Sequence, residues 1–393
     1  MTNRTVDVLV IGAGPAGLAL AARTARAGAG RVEVLERDEE PGGVPRHCHH
    51  GGFGSPPLPW LHGPEYARRA VAAALDAGAA LRTGVSATGW AGPLTLETTS
   101  PAGLERITAR AVVLATGARE RPRSARLVPG TRPAGVLTTG ELQRSVHPVG
   151  RRAVFVGAEP VARHAARLLH RSGTRVAAML TEHPRGTALP GVPLLTRTTV
   201  TALHGRGRLT GVAVRHQDGR SGVIACDTVV FTGDWIPDHE LARRGGITLD
   251  PGTRGPSVDP AFRTTTPGVF AVGNALHGAE PAATAAAEGT AAAPAVLAHL
   301  TGTPWPTPGP ALQVRAPLSW LTPNHLTDPA AGPLLLRAAG PLTAPSIRAH
   351  QDGHLLWHHH FPTRLAPHRS LRLPPGWTTR VDREGGPVIL SVS

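Results

Sequence analysis

Thiols and ammonium side chains are almost missing from this chain. Of its 393 residues only Cys48 and Cys226 are cysteine, and lysine does not occur. Two cysteines cannot supply a four-thiolate zinc site or a disulfide framework. Neither has a partner nearby in sequence, and dithiol–disulfide exchange needs two sulfurs close enough to react with each other, so that chemistry is excluded. With lysine absent, the formal charge of +14 rests on arginine, dispersed among Ala, Gly and Pro. Such a charge ordinarily points to nucleic acid or membrane surfaces, because basic side chains neutralise phosphates. No arginine run here alternates with aromatics as a single-strand channel requires. The pattern reads as compositional bias of the kind a GC-rich genome produces, and no nucleic-acid partner is expected. Long apolar runs are missing as well: nothing approaches the roughly 20 uncharged apolar residues of a membrane span. The N-terminus enters an apolar strand by Val8 without the segments of an export signal, which places the protein in the cytoplasm.

What is present is repeated βαβ grammar. A hydrophobic fraction of 41% over this length can bury a large core in two or three domains. Val8 to Ile11 reads as a strand, Gly12 to Gly17 as a glycine turn, Leu18 to Ala27 as a helix and Val32 to Leu35 as a second strand. A loop of Gly, Pro and His runs from Asp38 to Pro59, followed by an Ala-rich helix over Glu65 to Ala77. Strands are expected at Leu81 to Ala87, Leu94 to Thr99 and Ala111 to Ala115. The unit then recurs: a strand at Ala153 to Val156, a turn through Gly157 to Pro160, a helix at Val161 to Arg171 and a strand at Arg175 to Leu180. Duplication of a nucleotide-binding unit predicts two Rossmann-like domains. Strands at Thr198 to His204, Leu209 to Arg215 and Thr228 to Phe231 complete the second. A strand at Gly268 to Val272 and a helix over Pro281 to Leu300 close the first.

The expected fold is thus α/β, with two Rossmann-like dinucleotide-binding domains, the second inserted in the first. Residues 1–120 and 245–302 form the first, and 121–244 the second. Pro304, Pro306, Pro308, Pro310 and Pro317 mark a linker over 303–317, since that density cannot continue a helix. A small, mostly β module over 318–393 remains.

Gly12, Gly14 and Gly17 form Gly-x-Gly-x-x-Gly between a strand and a helix, which brings backbone close to a pyrophosphate and aims helix N–H groups at it. Glu36 ends the next strand, where a carboxylate accepts from ribose hydroxyls and disfavours a 2′-phosphate. Val113 to Ala118, with Thr116 and Gly117, and Pro267 to Asn274, with Gly273, resemble the adenosine-side and late flavin-side segments of two-dinucleotide-domain flavoproteins. That is the FAD-dependent pyridine nucleotide-disulfide oxidoreductase-like superfamily. Asn274 stands where most members carry Asp. Three further stretches, Gly42 to Cys48 with Gly43 and Arg46, Gly135 to Gly140, and Val272 to Gly278 with Glu280, look like one subfamily. It holds the flavin subunits of hydrogen cyanide synthase, opine oxidase and amine or imino-acid dehydrogenases. The resemblance covers residues 1 to about 300. It implies FAD, oxidation of a carbon bearing nitrogen in a small-molecule substrate, and often a second flavoprotein or electron-transfer subunit. The cysteine-rich C-terminal segment of that subfamily has no counterpart after Cys226, so four cysteines of this chain cannot hold an iron–sulfur cluster there.

The second turn departs from the pattern, with Glu159 where a glycine normally admits pyrophosphate. If its carboxylate points into the cleft, NAD(P)H binding is poor; if it points away, NAD(P)H can serve as a hydride donor. His47 and His277 are the candidates for proton handling, because imidazole titrates near neutrality. The cluster His47 to His50 could suit a metal, but adjacent residues rarely converge on one ion and none is expected. The leading expectation is an FAD-dependent dehydrogenase or oxidase subunit for an amine or amino-acid-like substrate. The alternatives are an NAD(P)H-dependent flavoprotein reductase and a non-catalytic flavin-binding assembly subunit.

Overall fold

The computed structural model describes residues 2–54, 60–145, 147–278, 280–327 and 334–393; Ser55 to Pro59 of the expected long loop lie outside them. The chain divides into two compact units, residues 1–118 with 236–393, and residues 119–235. The first is discontinuous because the second is inserted in it.

The first unit is built on β1 (Thr2–Ile11), α1 (Pro15–Arg26), β2 (Val32–Leu35), α2 (Gly63–Asp76), β3 (Ala80–Arg82), β4 (Ser86–Gly92), β5 (Thr95–Ser100) and β6 (Gly103–Leu114). Its sheet runs β3-β2-β1-β6-β5-β4. β1 is parallel to both β2 and β6, and Val8 to Val10 and Val32 to Leu35 are buried throughout. This is the near-continuous apolar run expected of strands covered on both faces. The strand order switches sides at β1, and a ligand crevice in an open α/β sheet lies at the carboxyl ends of the strands beside such a switch. The single strand expected over Leu81 to Ala87 is two. Gly84 takes φ +65°, a left-handed turn that sends the chain from one edge of the sheet, where β3 pairs with β2, to the other, where β4 pairs with β5. Inside this sheet Glu33 is fully buried yet paired with Arg4, Arg31 and Arg82, and Glu105 shares Arg4 and Arg82. A buried carboxylate is tolerated only with such compensation.

The second unit is entered through β7 (Ala118–Glu120) and left through β16 (Trp235–Pro237). It contains β8 (Val136–Thr138), α3 (Thr139–Arg144), β9 (Arg152–Val156), α4 (Val161–Arg171), β10 (Arg175–Leu180), β11 (Leu194–Leu195) and β15 (Thr228–Phe231), in a parallel sheet ordered β11-β10-β9-β15-β8. The helix and both strands of its βαβ lie where the apolar pattern predicts them. The strands β12 (Thr198–His204), β13 (Gly211–His216) and β14 (Ser221–Ala225) do not extend that sheet; they form an antiparallel meander. Their connections are too short for the crossover that parallel neighbours need.

After β16 come α5 (Glu240–Arg244), β17 (Val269–Ala271), α6 (Asn274–His277) and α7 (Ala282–Leu300). β17 returns to pair with β6, and α7 packs on α1. The closing residues add β18 (Leu312–Val314), β19 (Leu318–Thr322), β20 (Leu334–Ala338), β21 (Ser346–Gln351), β22 (His354–His360), β23 (Leu371–Leu373) and β24 (Val388–Val392), in two sheets ordered β18-β24-β21-β22 and β19-β20-β23. They share a core of Leu336, Ile347, Leu390 and Trp377. The stretch 303–317, expected as a linker, is packed instead. Trp305 meets Phe270 edge-on at 5.1 Å, and β18 lies inside it. Among the described residues no helix is long and apolar enough to cross a membrane.

The α1–α7 contact is as close as backbone allows, because a Cβ on Gly289 would lie 2.1 Å from the Ala16 carbonyl oxygen. Helix and carbonyl must separate to admit a methyl, so Gly289→Ala is expected to cost about 1–3 kcal/mol, read as a lower midpoint in denaturant unfolding. An unchanged midpoint would show that this approach is not a tight one.

Candidate functional site

The site grows from the carboxyl end of β1. Gly12, at φ +109°, is required because a Cβ there would lie 2.4 Å from the Ala115 carbonyl oxygen, and one on Gly17 would lie 2.1 Å from that of Gly12. Gly14 differs: a Cβ there would meet nothing within 4 Å. The turn is therefore tight beneath and open in front. Gly14 caps α1 with no side-chain hydrogen bond, and the first turn of the helix has no acidic residue. Its N–H groups and positive dipole end face that opening, which is the electrostatic requirement for an anion.

Glu36 is nearly buried and held by two backbone donors, Ala13 N–H at 3.1 Å to Oε2 and Asp38 N–H at 3.0 Å to Oε1. Each oxygen keeps acceptor capacity for a hydroxyl. The Gly42–Gly43 segment docks on the turn, with Gly42 N–H donating to the Ala13 carbonyl at 2.8 Å and a Cβ on Gly43 falling 2.9 Å from Gly14 Cα. Beyond it Arg46 pairs with Asp38 at 2.9 Å and lies 3.1 Å from His47 Nε2. Thr116 donates to the Asp238 carbonyl at 2.7 Å, and Gly117, at φ +78°, accepts from Asp238 N–H.

From the opposite side, a Cβ on Gly273 would sit 2.6 Å from that of Ala16, so the turn after β17 presses on the start of α1. Glu288 of α7 accepts from Gly273 N–H at 3.0 Å with one oxygen and pairs with His277 Nε2 at 2.9 Å with the other. Asn274 spends both ends of its amide on the Glu280 backbone, at 2.8 and 3.1 Å. Its substitution for Asp thus builds the turn that carries Glu280.

Four participants escaped the sequence reading. Trp320, Arg337 and Ser370 come from the closing β strands and the loops between them: the Trp320 ring stacks on His277 at 5.2 Å, Arg337 lies over Trp320 at 4.9 Å and pairs with Glu280, and Ser370 donates to Glu280 at 2.9 Å. Nothing in their local sequence signals this. Glu288 could have been suspected as the one acidic residue in an Ala-rich helix. Of the two histidine candidates, His277 is fully buried and His47 half-buried. Burial alone would lower the His277 pKa, but Glu288 beside it outweighs burial and holds it above its ordinary value.

Whether these residues suit a flavin nucleotide is tested by two buried nitrogens. Arg46 Nε, a donor, and His277 Nδ1 have no hydrogen-bond partner among the described residues, and both belong to segments expected beside the cofactor. Buried polar atoms are rarely left unpaired, so a bound group supplying hydrogen-bonding atoms fits here. The pair of thiols offers no alternative chemistry. Cys48 is buried, and burial, reinforced by Asp227, pushes the Cys226 thiol up to about 11, so it stays protonated and unreactive.

In the second unit, the turn after β9 is filled from within. Glu159 is half-buried and accepts from Thr232 Oγ1 at 2.5 Å. Its carboxylate lies over Gly157 and Gly233, where a Cβ would stand 2.6 and 2.5 Å from its oxygens. These residues do not fit a pyrophosphate.

Residues 6–289 match the family model described as pyridine nucleotide-disulphide oxidoreductase. The chain is 29% identical over 343 residues to an opine oxidase subunit of Agrobacterium tumefaciens (strain Ach5), an alignment covering 75% of this chain and 66% of that protein. Among solved structures it is similar to T. acidophilum thioredoxin reductase, with a TM-score of 0.63 at 24% identity over 75% of this chain and 98% of that one. L-proline dehydrogenase from P. horikoshii gives 0.57 at 19% identity, over 76% of this chain and 56% of that one.

The His277–Glu288 pair sets a pH test. A histidine whose pKa is raised by folding contributes stability that is fully present below its unfolded value, about 6.5, and is lost as pH rises through the folded value. Unfolding midpoints of the wild type should fall from pH 6 upward through that range, whereas Glu288→Gln should flatten this component. Parallel profiles for the two proteins would refute the coupling.

Proposed function

From the premise that the chain belongs to the pyridine nucleotide-disulphide oxidoreductase family, whose members are FAD-dependent oxidoreductases, we propose that it is a dehydrogenase or oxidase subunit for an amine or amino-acid-like substrate. The observation that carries this reading is the chemistry left once thiols are removed. Thioredoxin reductase shares the fold, but here one thiol is buried and the other is held protonated, so electrons must reach the flavin without a disulfide relay. The similarity to the opine oxidase chain supports a carbon–nitrogen bond as the donor. FAD, when bound, supplies acceptance of a hydride equivalent.

The chain's own residues do the rest. Gly12, Gly14 and Gly17 admit the pyrophosphate, and Glu36 accepts from the ribose. Gly43, Arg46, Thr116, Gly117, Gly273, Asn274 and Glu280 frame the remainder. The N-terminus of α7 would offer positive potential to a reduced, anionic ring. His277 holds a proton at Nδ1 with Nε2 anchored by Glu288, and Trp320 covers one face of its ring against water. His47 is the second proton carrier, oriented by Arg46. Oxidation of an amine carbon to an imine releases a proton from nitrogen as the hydride equivalent leaves; these histidines would take up that proton, and the electrons would pass on to a partner protein or a diffusible acceptor.

Two outcomes are expected. Anaerobic addition of secondary amines and N-substituted amino acids should bleach the visible flavin absorbance of the isolated protein with at least one donor; bleaching by NADH or NADPH alone, with every amine inert, would convert the reading to a reductase. Glu36→Ala removes the ribose acceptor and unpairs two backbone donors, so FAD affinity should fall about 10- to 100-fold. Equal affinity on reconstitution of the apoprotein would remove Glu36 from the site.

A further inference from the structure

We infer that the second dinucleotide fold of this chain is closed to pyridine nucleotides by its own Glu159. The two glycine turns are an internal comparison. In the first, the position after Gly12 and Ala13 is Gly14, whose front is open. In the second, the position after Gly157 and Ala158 is Glu159, and its carboxylate turns inward. Oε2 takes the Thr232 hydroxyl at 2.5 Å, while the two oxygens occupy the space that the missing side chains of Gly157 and Gly233 leave free. The side chain starts from the position where a second glycine lets the backbone approach a pyrophosphate, so a dinucleotide would meet its volume there and a like charge beside it.

Further contacts consolidate it. Ala162 N–H donates to the Glu159 carbonyl at 3.0 Å and Arg163 N–H to that of Pro160 at 3.1 Å, which engages amides at the start of α4. The segment after β10 crosses the turn. Thr187 N–H donates to the Ala158 carbonyl at 2.8 Å, and a Cβ on Gly186 would lie 2.6 Å from that of Ala158. The carboxylate is also compensated within its own unit. Arg126 donates to the carbonyls of Thr232 and Gly233 at 3.3 and 2.7 Å, lies over the Phe231 ring at 5.2 Å, and interacts electrostatically with Glu159. Glu159 thus places an anion beside the turn that a ligand's anion would have to approach. The inference deepens the amine-oxidation reading and rests on it only for the identity of the alternative electron donor.

The test is direct binding of NADH and NADPH, by calorimetry, to the FAD-loaded full-length protein and to Glu159→Gly and Glu159→Ala. Retained FAD and an unchanged visible circular dichroism spectrum report that the variants are folded. The wild type should show no saturable binding up to millimolar nucleotide, and at least one variant should bind about 10- to 1,000-fold more tightly, the range expected on removing a carboxylate a few ångström from phosphate. Saturable micromolar binding by the wild type overturns the inference whether or not the variants fold. Folded variants that gain nothing overturn the assignment to Glu159. Because the readout is binding, failure of the amine substrate to bleach the flavin leaves this result intact.

Discussion

The approach of α7 to α1, with backbone meeting backbone at Gly289 and Ala16 and the Gly273 turn pressed on Ala16 in the same way, is the constraint on which the flavin-side geometry depends. It carries Glu288 to the point where one carboxylate can hold both the Gly273 amide and the His277 ring. It also brings the turn after β17 against the start of α1, so segments more than 250 residues apart in the chain border one opening. A larger residue at either glycine would separate the glycine turn from the flavin-side turn.

The same βαβ unit is used twice to opposite ends. In the first copy, Gly14 and a helix without an acidic first turn leave a positive potential open to a ligand's anion. In the second copy one side chain supplies the anion. The scaffold is common to both copies because strand, helix and strand pack by the same apolar pattern whatever the turn does. Binding, by contrast, is decided by one position, and duplication of a fold carries no guarantee of duplicated function.

Most of the parallel framework was legible in the sequence. Apolar runs such as Val32 to Leu35 and helices bounded by Gly and Pro are local signals, and Val161 to Arg171, Arg175 to Leu180 and Thr228 to Phe231 fall where they were expected. Gly12, Gly14, Gly17 and Glu36 were legible for the same reason, being fixed by a turn and the strand after it. What stayed hidden was non-local. A left-handed Gly84 splits one expected strand between two sheet edges, and proline density conceals Trp305 packing on Phe270. Trp320, Arg337 and Ser370 reach His277 and Glu280 only because the fold brings them there. The direction of Glu159 was equally unreadable, since it depends on Thr232, which follows a later strand.

The order of the chain has a consequence for how the protein is made. The inserted unit, residues 119–235, is contiguous and can fold once it has left the ribosome, as domains generally do during synthesis. The flavin unit cannot. Its last sheet is completed by β24, the five residues Val388–Val392, which pair with β18 and β21, and Arg337 and Ser370 must arrive before Glu280 is neutralised. While the chain is being made, the insert can therefore fold with the flavin unit still unfinished, and cofactor capture waits for Arg337, Ser370 and β24 to emerge.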